Sequence, residues 1–306
     1  MKPLKVLITG GSGFIGSNLV DKIVNSKDNY EVFVVDHKDP KYINDRVAYE
    51  NIDITSSKLD HYIKKLSPEI IIHLAAQASV AISSRNPVLD SNVNISGSLN
   101  LLKSSIESGV KKFIFFSTGG AIYGENINKE FSEDDIPDPK SPYGISKYSF
   151  EIYLNYLCKK SNIKNIIIRP SNVFGPRQNP EGEAGVISIF GKKMIIGDPI
   201  NIFGTGREYR DYIYVDDVVN FAYLSMKEDF FGTFNICSGK TYTTFDIFNK
   251  LSELTSYDKK PIYQDAREGD ILGIKLDNSK ALDLTKWEPE TSFSNGLIKT
   301  LDFLKL

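Results

Sequence analysis

Short, uninterrupted apolar runs recur through the first half of the chain, at residues 6–9, 32–36, 70–74, 113–117 and 166–169. A strand with one wet face alternates apolar and polar side chains. A run without alternation has to be covered on both faces, which a parallel sheet between two helical layers provides. The stretches between the runs, 17–25, 57–66, 91–108 and 142–160, have the length and mixed faces of crossover helices. The expectation is a doubly wound α/β domain. Past Arg169 the texture changes, because residues 175–185 crowd glycine, proline and polar side chains into a long loop. A smaller α+β lobe is expected there, with helices near 186–194, 216–226 and 244–254 and a strand near 200–203. The expected boundaries are 1–170 for the first domain, with returning segments near 207–240, and 171–306 for an interleaved second lobe.

Directly after the first run stands Thr9-Gly10-Gly11-Ser12-Gly13-Phe14-Ile15-Gly16. Glycines at 10, 13 and 16, between a strand and a helix, let the backbone turn sharply and come close to a ligand. The exposed amides and the dipole at the helix start favour negative charge there. This combination predicts the pyrophosphate turn of a Rossmann dinucleotide fold. Asp36 ends the second run about 20 residues beyond Gly16, where an acidic side chain accepts hydrogen bonds from an adenosine ribose. A carboxylate at that point repels a 2′-phosphate, which favours NAD over NADP even with His37 and Lys38 beside it. Asp53 and Ile54 follow a third expected strand and are candidates to flank the adenine.

Composition removes other chemistries. With 37 Lys plus Arg against 39 Asp plus Glu, the chain has no cationic excess with which to track a nucleic acid or an anionic membrane. The longest apolar stretch, 70–82, is interrupted by His73, Gln77 and Ser79 and is too short to span a bilayer. Glycines break the first apolar run before it reaches the length of a signal-peptide core, so a soluble, cytoplasmic protein is expected. Cys158 and Cys237 lie far apart and read as buried small hydrophobes. The histidines His37, His61 and His73 show no i,i+4 pairing, so neither a metal site nor a Ser-His-Asp hydrolase is expected. His73, which ends Ile70-Ile71-Ile72, reads as a satisfied strand-end residue.

Ser141-Pro142-Tyr143-Gly144-Ile145-Ser146-Lys147 has the form of a helix start, with Ser141 as N-cap and Pro142 at the first helical position. Tyr143 and Lys147 then share a face. At that spacing an ammonium favours the phenolate and lowers the tyrosine toward working pH, which makes a general base.

These motifs resemble those of the extended short-chain dehydrogenase/reductase superfamily, in its NAD-dependent epimerase/dehydratase branch. The resemblance is carried by residues 9–16, His73-Leu74-Ala75-Ala76-Gln77, 116–124, 141–147, Arg169-Pro170-Ser171-Asn172-Val173-Phe174-Gly175-Pro176 and Arg210-Asp211-Tyr212-Ile213-Tyr214-Val215-Asp216-Asp217, and it covers nearly all of the chain. It implies a bound NAD whose adenosine end lies over Gly10, Gly13, Phe14, Ile15 and Gly16, beside Asp36, Asp53 and Ile54. Leu74, Ala75, Ala76 and Gln77 would line its middle, with Asn92, Ser117 and Pro170 near it and Lys147 on the nicotinamide ribose. On the substrate side it implies Asn172, Arg210 and Arg267 at a diphosphate, where the planar guanidinium fork suits phosphate oxygens. Asp270 would contact the uridine ribose, and Gly185, Val186, Ile202 and Phe203 the uracil end.

The chemistry implied is removal of the sugar 4-OH proton by Tyr143 as hydride leaves C4 for NAD, followed by return to the opposite face. The stretch 117–124 lacks the Asp-Glu pair that the branch's dehydratases carry after the catalytic hydroxyl, which speaks against 4,6-dehydration. Where many 4-epimerases place that hydroxyl, this chain has Gly119, so Thr118 is the expected substitute and Ser117 the alternative. The string Ser-Thr-Gly-Gly-Ala-Ile-Tyr-Gly is similar to that of a subset of prokaryotic UDP-glucose 4-epimerases. The resemblance thus implies a UDP-hexose 4-epimerase with a UDP-sugar substrate, working as a homodimer through a four-helix bundle formed by the helices at 91–108 and 142–160. The alternatives are another transformation through a 4-keto sugar (a UDP-N-acetylglucosamine or UDP-glucuronate 4-epimerase, a decarboxylase or a reductase) and a non-catalytic NAD-binding protein.

Overall fold

A computed structural model describes residues 2–125, 129–181, 185–266 and 271–306. In chain order the elements begin with β1 (Leu4–Thr9), α1 (Phe14–Val24), β2 (Tyr30–Asp36), β3 (Ala48–Asn51), α2 (Lys58–Leu66), β4 (Ile70–His73) and α3 (Val80–Arg85). They continue with α4 (Pro87–Ser91), a π-helical turn (Asn92–Gly97), α5 (Ser98–Glu107), β5 (Lys112–Phe116), β6 (Glu130–Phe131) and α6 (Pro142–Ser161). Then come β7 (Lys164–Pro170), β8 (Asn172–Phe174), α7 (Val186–Ile195), β9 (Asn201–Phe203), β10 (Tyr209–Tyr214), α8 (Val215–Lys227) and β11 (Gly232–Ile236). The chain ends with β12 (Thr241–Thr243), α9 (Thr244–Thr255), β13 (Ile262–Gln264), β14 (Gly273–Leu276), α10 (Ser279–Thr285) and α11 (Phe293–Leu304).

These elements form two compact units, one of Met1–Ile122, Pro139–Arg169 and Val219–Phe234, the other of Tyr123–Asp138, Pro170–Val218 and Asn235–Leu306. The returning segment is therefore shorter than the 207–240 expected. Residues 123–138, counted from sequence with the first domain, fall in the second unit.

The first unit holds a seven-stranded sheet of order β11-β7-β5-β4-β1-β2-β3. The paired strands run parallel, with Val6 between Val32 and Ile70 and Ile114 between Ile72 and Ile166. Leu7, Val35, Ile71, Phe113, Phe115 and Ile167 point to one face, where Leu59 and Ile63 of α2, Leu101 and Leu102 of α5 and Phe150, Leu154 and Cys158 of α6 close the core over them. Val6, Ile8, Val34, Ile72 and Ile166, on the alternate positions, are also fully buried. The absence of alternation in the sequence thus has the cause assigned to it. Each such side chain contributes about 1.5–3 kcal/mol by leaving water. His73 is the satisfied strand-end residue expected, hydrogen-bonded to Thr9 Oγ1 at 2.7 Å and Ser98 Oγ at 2.8 Å.

The second unit is built on a five-stranded sheet in which β10 pairs with β12, β14 and β8, and on a small β9–β13 pair. Glycine at 273 is dictated by packing, since a Cβ there would sit 2.1 Å from the Tyr209 ring. The Asp217 carboxylate ties down the chain after α10, accepting from the amides of Glu290 at 3.0 Å and Thr291 at 3.3 Å. A capping box of Thr243 and Asp246 opens α9. No helix among the described residues is long and apolar enough to cross a membrane.

One buried cation clamps the first unit. Lys112, at the start of β5, is 9% exposed, and its Nζ donates to the carbonyls of Ser225 (2.7 Å), Met226 (3.1 Å) and Glu228 (2.8 Å) around the end of α8. The ammonium thereby satisfies orphan carbonyls and complements the negative end of the helix dipole. Lys112→Met is expected to lower stability by about 3 kcal/mol, because it leaves buried acceptors unpaired. Urea unfolding followed by circular dichroism checks this, and an unchanged midpoint would show that the clamp contributes nothing.

Candidate active site

At the end of β1 the backbone is packed against itself. Gly10 adopts φ +75°, and a Cβ on it would lie 2.5 Å from the amide nitrogen of Ala75. A Cβ on Gly16 would lie 2.2 Å from the Gly10 carbonyl oxygen, whereas Gly13 has more room, at 3.3 Å from the same oxygen. The Ala75 strip is held in place because the amides of Leu74 and Ala75 both donate to the Thr9 carbonyl, at 2.9 and 3.0 Å. Gly13 is the N-cap of α1, whose first turn carries no acidic side chain. No acidic side chain of that turn itself competes with an incoming anion for the positive helix end. Asp36 comes to the same turn, accepting from the amides of Ser12 and Lys38 at 3.1 Å each, with His37 Nδ1 3.3 Å away. Ser12 Oγ is buried with no hydrogen-bond partner among the described residues. A cradle that side chains cannot share, a helix start and an orphaned hydroxyl together fit the pyrophosphate of a dinucleotide.

The other residues expected at that ligand divide into two sets. Phe14, Ile15, Leu74, Ala75 and Ala76 are half-buried around the turn. Asp53 is exposed, and its Oδ1 accepts from the Thr55 amide (2.8 Å) and hydroxyl (2.7 Å); these bonds outweigh burial and hold its pKa below the ordinary carboxylate value. Ile54 is 5% exposed and packs in the core against Gly97, so its side chain is structural. The Gln77 side chain is committed to the protein, with Nε2 donating to the Ser79 carbonyl (2.9 Å) and Asp90 Oδ1 (2.8 Å). Of the nearby asparagines, Asn92 is exposed and Asn94 is 1% exposed. Asn94 accepts from the Gln77 amide at 2.9 Å and donates to the Gln77 carbonyl (3.0 Å), Asp90 Oδ1 (3.0 Å) and Ser146 Oγ (3.1 Å). The π-helical turn at 92–97 replaces the continuous helix read from sequence and decides which asparagine faces inward.

The opening of α6 matches its reading. Ser141 Oγ accepts from the Gly144 amide at 3.2 Å and Pro142 occupies the first turn. Gly144 lets the strip after β5 approach, since a Cβ there would lie 2.2 Å from the Ala121 carbonyl oxygen. Across that contact the Thr118 side chain comes close enough to the Tyr143 phenol to favour its ionised form. Ser117, by contrast, turns inward; its amide donates to the Ile168 carbonyl at 2.8 Å and its buried Oγ has no partner among the described residues. Of the two candidate hydroxyls, Thr118 is the one at the phenol.

Electrostatically the pair differs from expectation. Lys147 is 4% exposed, with Nζ donating to the Phe116 carbonyl at 2.7 Å and lying 4.6 Å from the Phe115 ring centre. Burial brings its pKa down to about 7, opposed by the charges of Asp90 and Glu151. Burial also pushes the Tyr143 phenol well above its ordinary value, with Asp90 adding to the rise and the Thr118 side chain opposing it. The protein's own groups therefore do not produce the lowered phenol read from the i,i+4 spacing. Helical spacing places the two side chains on one face, but low dielectric penalises both charged forms.

In the second unit Asn172 lies half-buried on β8 in register with Tyr212 of β10. Arg210 on β10 directs Nη1 at the carbonyls of Tyr209 (2.8 Å) and Leu272 (3.4 Å). Gly185 caps α7 and Val186 begins it. Ile202 is fully buried and belongs to the core, which removes it as a lining residue, while its neighbour Phe203 is 37% exposed. Arg267 and Asp270 lie outside the described residues. Sequence reasoning missed Asp90 and Asn94. Their i,i+4 spacing in a segment facing α6 was the available signal.

Asn94→Ala is expected to cost about 2–3 kcal/mol by leaving buried partners unpaired. Asn92→Ala should stay within about 0.5 kcal/mol of the parent. Thermal unfolding of both variants checks the assignment, and the reverse order of effects would overturn it.

Comparison with known proteins agrees with this geometry. Residues 6–237 match the NAD dependent epimerase/dehydratase family. The UDP-glucose 4-epimerase of Mycolicibacterium smegmatis is 33% identical over 310 residues, which cover 99% of each chain. A Thermotoga maritima UDP-glucose 4-epimerase, solved with UDP-glucose, superposes with a TM-score of 0.95 at 45% identity, covering 99% of both chains. The Thermus thermophilus UDP-glucose 4-epimerase complex with NAD superposes with a TM-score of 0.93 at 35% identity, again covering 99% of both chains. With a glycine turn shaped for a pyrophosphate, a Thr118–Tyr143–Lys147 cluster on the same unit and similarity along its whole length, the chain belongs to the NAD dependent epimerase/dehydratase family.

Proposed function

We propose that the protein is a UDP-hexose 4-epimerase that interconverts UDP-glucose and UDP-galactose, with the first unit as its dinucleotide domain and the second as its nucleotide-sugar lobe. The observation that carries this reading is the approach of the Thr118 side chain to the Tyr143 phenol, with Lys147 one turn further along α6, on the unit that holds the glycine turn. The full-length relatives named UDP-glucose 4-epimerase support it. NAD supplies reversible acceptance of hydride at the sugar C4. Asp36 accepts from the adenosine ribose and disfavours a 2′-phosphate, while the amides opening α1 hold the pyrophosphate.

Tyr143 takes the 4-OH proton during oxidation and returns it during reduction, and Thr118 relays between the phenol and the sugar hydroxyl. Lys147, fixed by the Phe116 carbonyl, holds the ribose and supplies a positive charge in its protonated form. Between the two hydride steps the substrate is a 4-keto sugar, which must present its other face before it is reduced. Asn172, Arg210 and Arg267 grip the diphosphate, Asp270 the uridine ribose, and Gly185, Val186 and Phe203 the uracil end. The working form is a cytoplasmic homodimer in which α6 and its neighbours pair with a partner copy as a four-helix bundle. Val88 on α4, at 75% exposed, and Ile145, Ile152 and Tyr156 on α6, at 51–65%, make an apolar stripe that fits this role.

Separate incubations with UDP-glucose, UDP-N-acetylglucosamine and UDP-glucuronate, followed by resolution of C4 epimers, are expected to yield UDP-galactose from the first. Turnover of another sugar alone would overturn the substrate assignment. Tyr143→Phe should retain NAD and lose turnover by about a hundredfold or more; undiminished turnover would remove the phenol from its role. Light scattering should give twice the 34.3 kDa chain mass. Ile152→Asp should then give the single-chain mass, and a monomeric parent would refute the bundle.

A further inference from the structure

We propose that Asp90 is a positioning residue of the epimerase site, a buried and unneutralised carboxylate whose charge sets the pH window in which the Tyr143–Lys147 pair works. The inference rests on the function proposed above and assigns a role to a group that this function does not use.

Asp90 is 1% exposed, at the end of the short helix α4, which packs on α6. Its Oδ1 accepts from Gln77 Nε2 at 2.8 Å and Asn94 Nδ2 at 3.0 Å. Through Asn94 the chain of bonds reaches Ser146 Oγ, which donates to the Tyr143 carbonyl at 3.0 Å. Oδ2 has no hydrogen-bond partner, and Asp90 has no ion pair, among the described residues. A fully buried carboxylate oxygen without a partner is costly, and a scaffold that only needed to hold Gln77 and Asn94 would be served by a neutral amide. What the carboxylate adds is a negative charge beside the pair.

Among the described residues, two other ionisable groups near the pair are held by their own partners. Glu151, one turn beyond Lys147 on α6, is 2% exposed and locked by Arg169 of β7, with Nε–Oε1 at 3.0 Å and Nη2–Oε2 at 2.5 Å, so its charge is offset locally. His73 of β4 has both ring nitrogens bonded to hydroxyls, and burial lowers its pKa well below the usual histidine range, so it is neutral. Asp90 therefore supplies the larger share of the negative field on Lys147, with Glu151 adding to it. A negative charge favours the protonated form of each neighbour, raising both the phenol and the ammonium. It keeps Lys147 charged to higher pH and delays formation of the Tyr143 phenolate.

In Asp90→Asn the amide oxygen can still accept from Gln77 and Asn94, but the charge is gone, so both groups lose protons at lower pH. The kcat/KM profile for UDP-glucose should keep its width while both limbs move acidward by on the order of one pH unit. Asp90→Glu, which restores the charge, should return the limbs toward the parent. Reduced turnover with both limbs in place would show that Asp90 is only a scaffold and would overturn the proposal. A second readout is independent of turnover: the Lys147 side-chain nitrogen, followed by NMR and assigned with Lys147→Arg, should titrate lower in Asp90→Asn, and an unchanged midpoint would overturn the inference. If the parent enzyme epimerises no UDP-hexose, the proposed function fails while this titration still decides the role of Asp90. Should the variants not fold, the Asp90 carboxyl carbon can be followed in the parent protein. Its ionisation through neutral pH supports the proposal, and a protonated carboxyl across that range overturns it.

Discussion

Backbone packed directly on backbone is the constraint from which the rest of the site follows. Gly10 lies against the Ala75 amide, Gly16 against the Gly10 carbonyl and Gly144 against the Ala121 carbonyl. Each contact occurs where a strand of the parallel sheet gives way to its loop, and each needs a residue without a Cβ. The first two shape a turn whose amides face outward at a helix start. The third brings the strip after β5 onto the start of α6, which is how a threonine on one segment meets a tyrosine on another. A methyl group at any of the three would separate elements that the chemistry needs together.

Around those contacts the site consists of polar groups held in a dry environment. Gln77, Asp90, Asn94 and Ser146 satisfy one another beneath the surface, while Lys147 is bound to a main-chain carbonyl and crossed by an aromatic face. Low dielectric makes such bonds strong and makes each uncompensated charge costly. The same burial that orders Tyr143 and Lys147 pushes both toward their neutral forms, so their charge states depend on the charges near them. Spacing on a helix brings two groups together; the field they share comes from everything packed around them.

Several features of the candidate site were legible one by one. The glycine turn, Asp36, Tyr143, Lys147 and the Ser141 cap are local patterns, in which a few consecutive residues dictate the geometry. The side-chain burial of Asn92 and Ile202 was not legible, for one shared reason. Which of two neighbouring residues faces inward depends on small departures from regular periodicity, here a π-helical turn at 92–97 and the depth of a short strand at 201–203. The choice between Ser117 and Thr118 was likewise open from sequence, because the Gly119–Gly120 pair after them leaves the local backbone free to present either hydroxyl. Residues 123–138 belong with the second unit because their short strand β6 pairs with β14, a partner nearly 150 positions away in the chain. Nothing in that segment's own composition marks so distant a partner.

By itself the sequence determined the class of fold and the kind of chemistry. Uninterrupted apolar runs demand a sheet buried on both faces, and the glycine spacing and the Tyr-x-x-x-Lys helix start are geometric instructions complete within a few residues. The tertiary structure alone decided the choice of hydroxyl, the inward asparagine, the commitment of Gln77 to Asp90 and the electrostatic state of the pair. Those outcomes depend on burial and on charges brought in from distant elements, and a protonation equilibrium responds to the sum of that field, which no local stretch of chain contains.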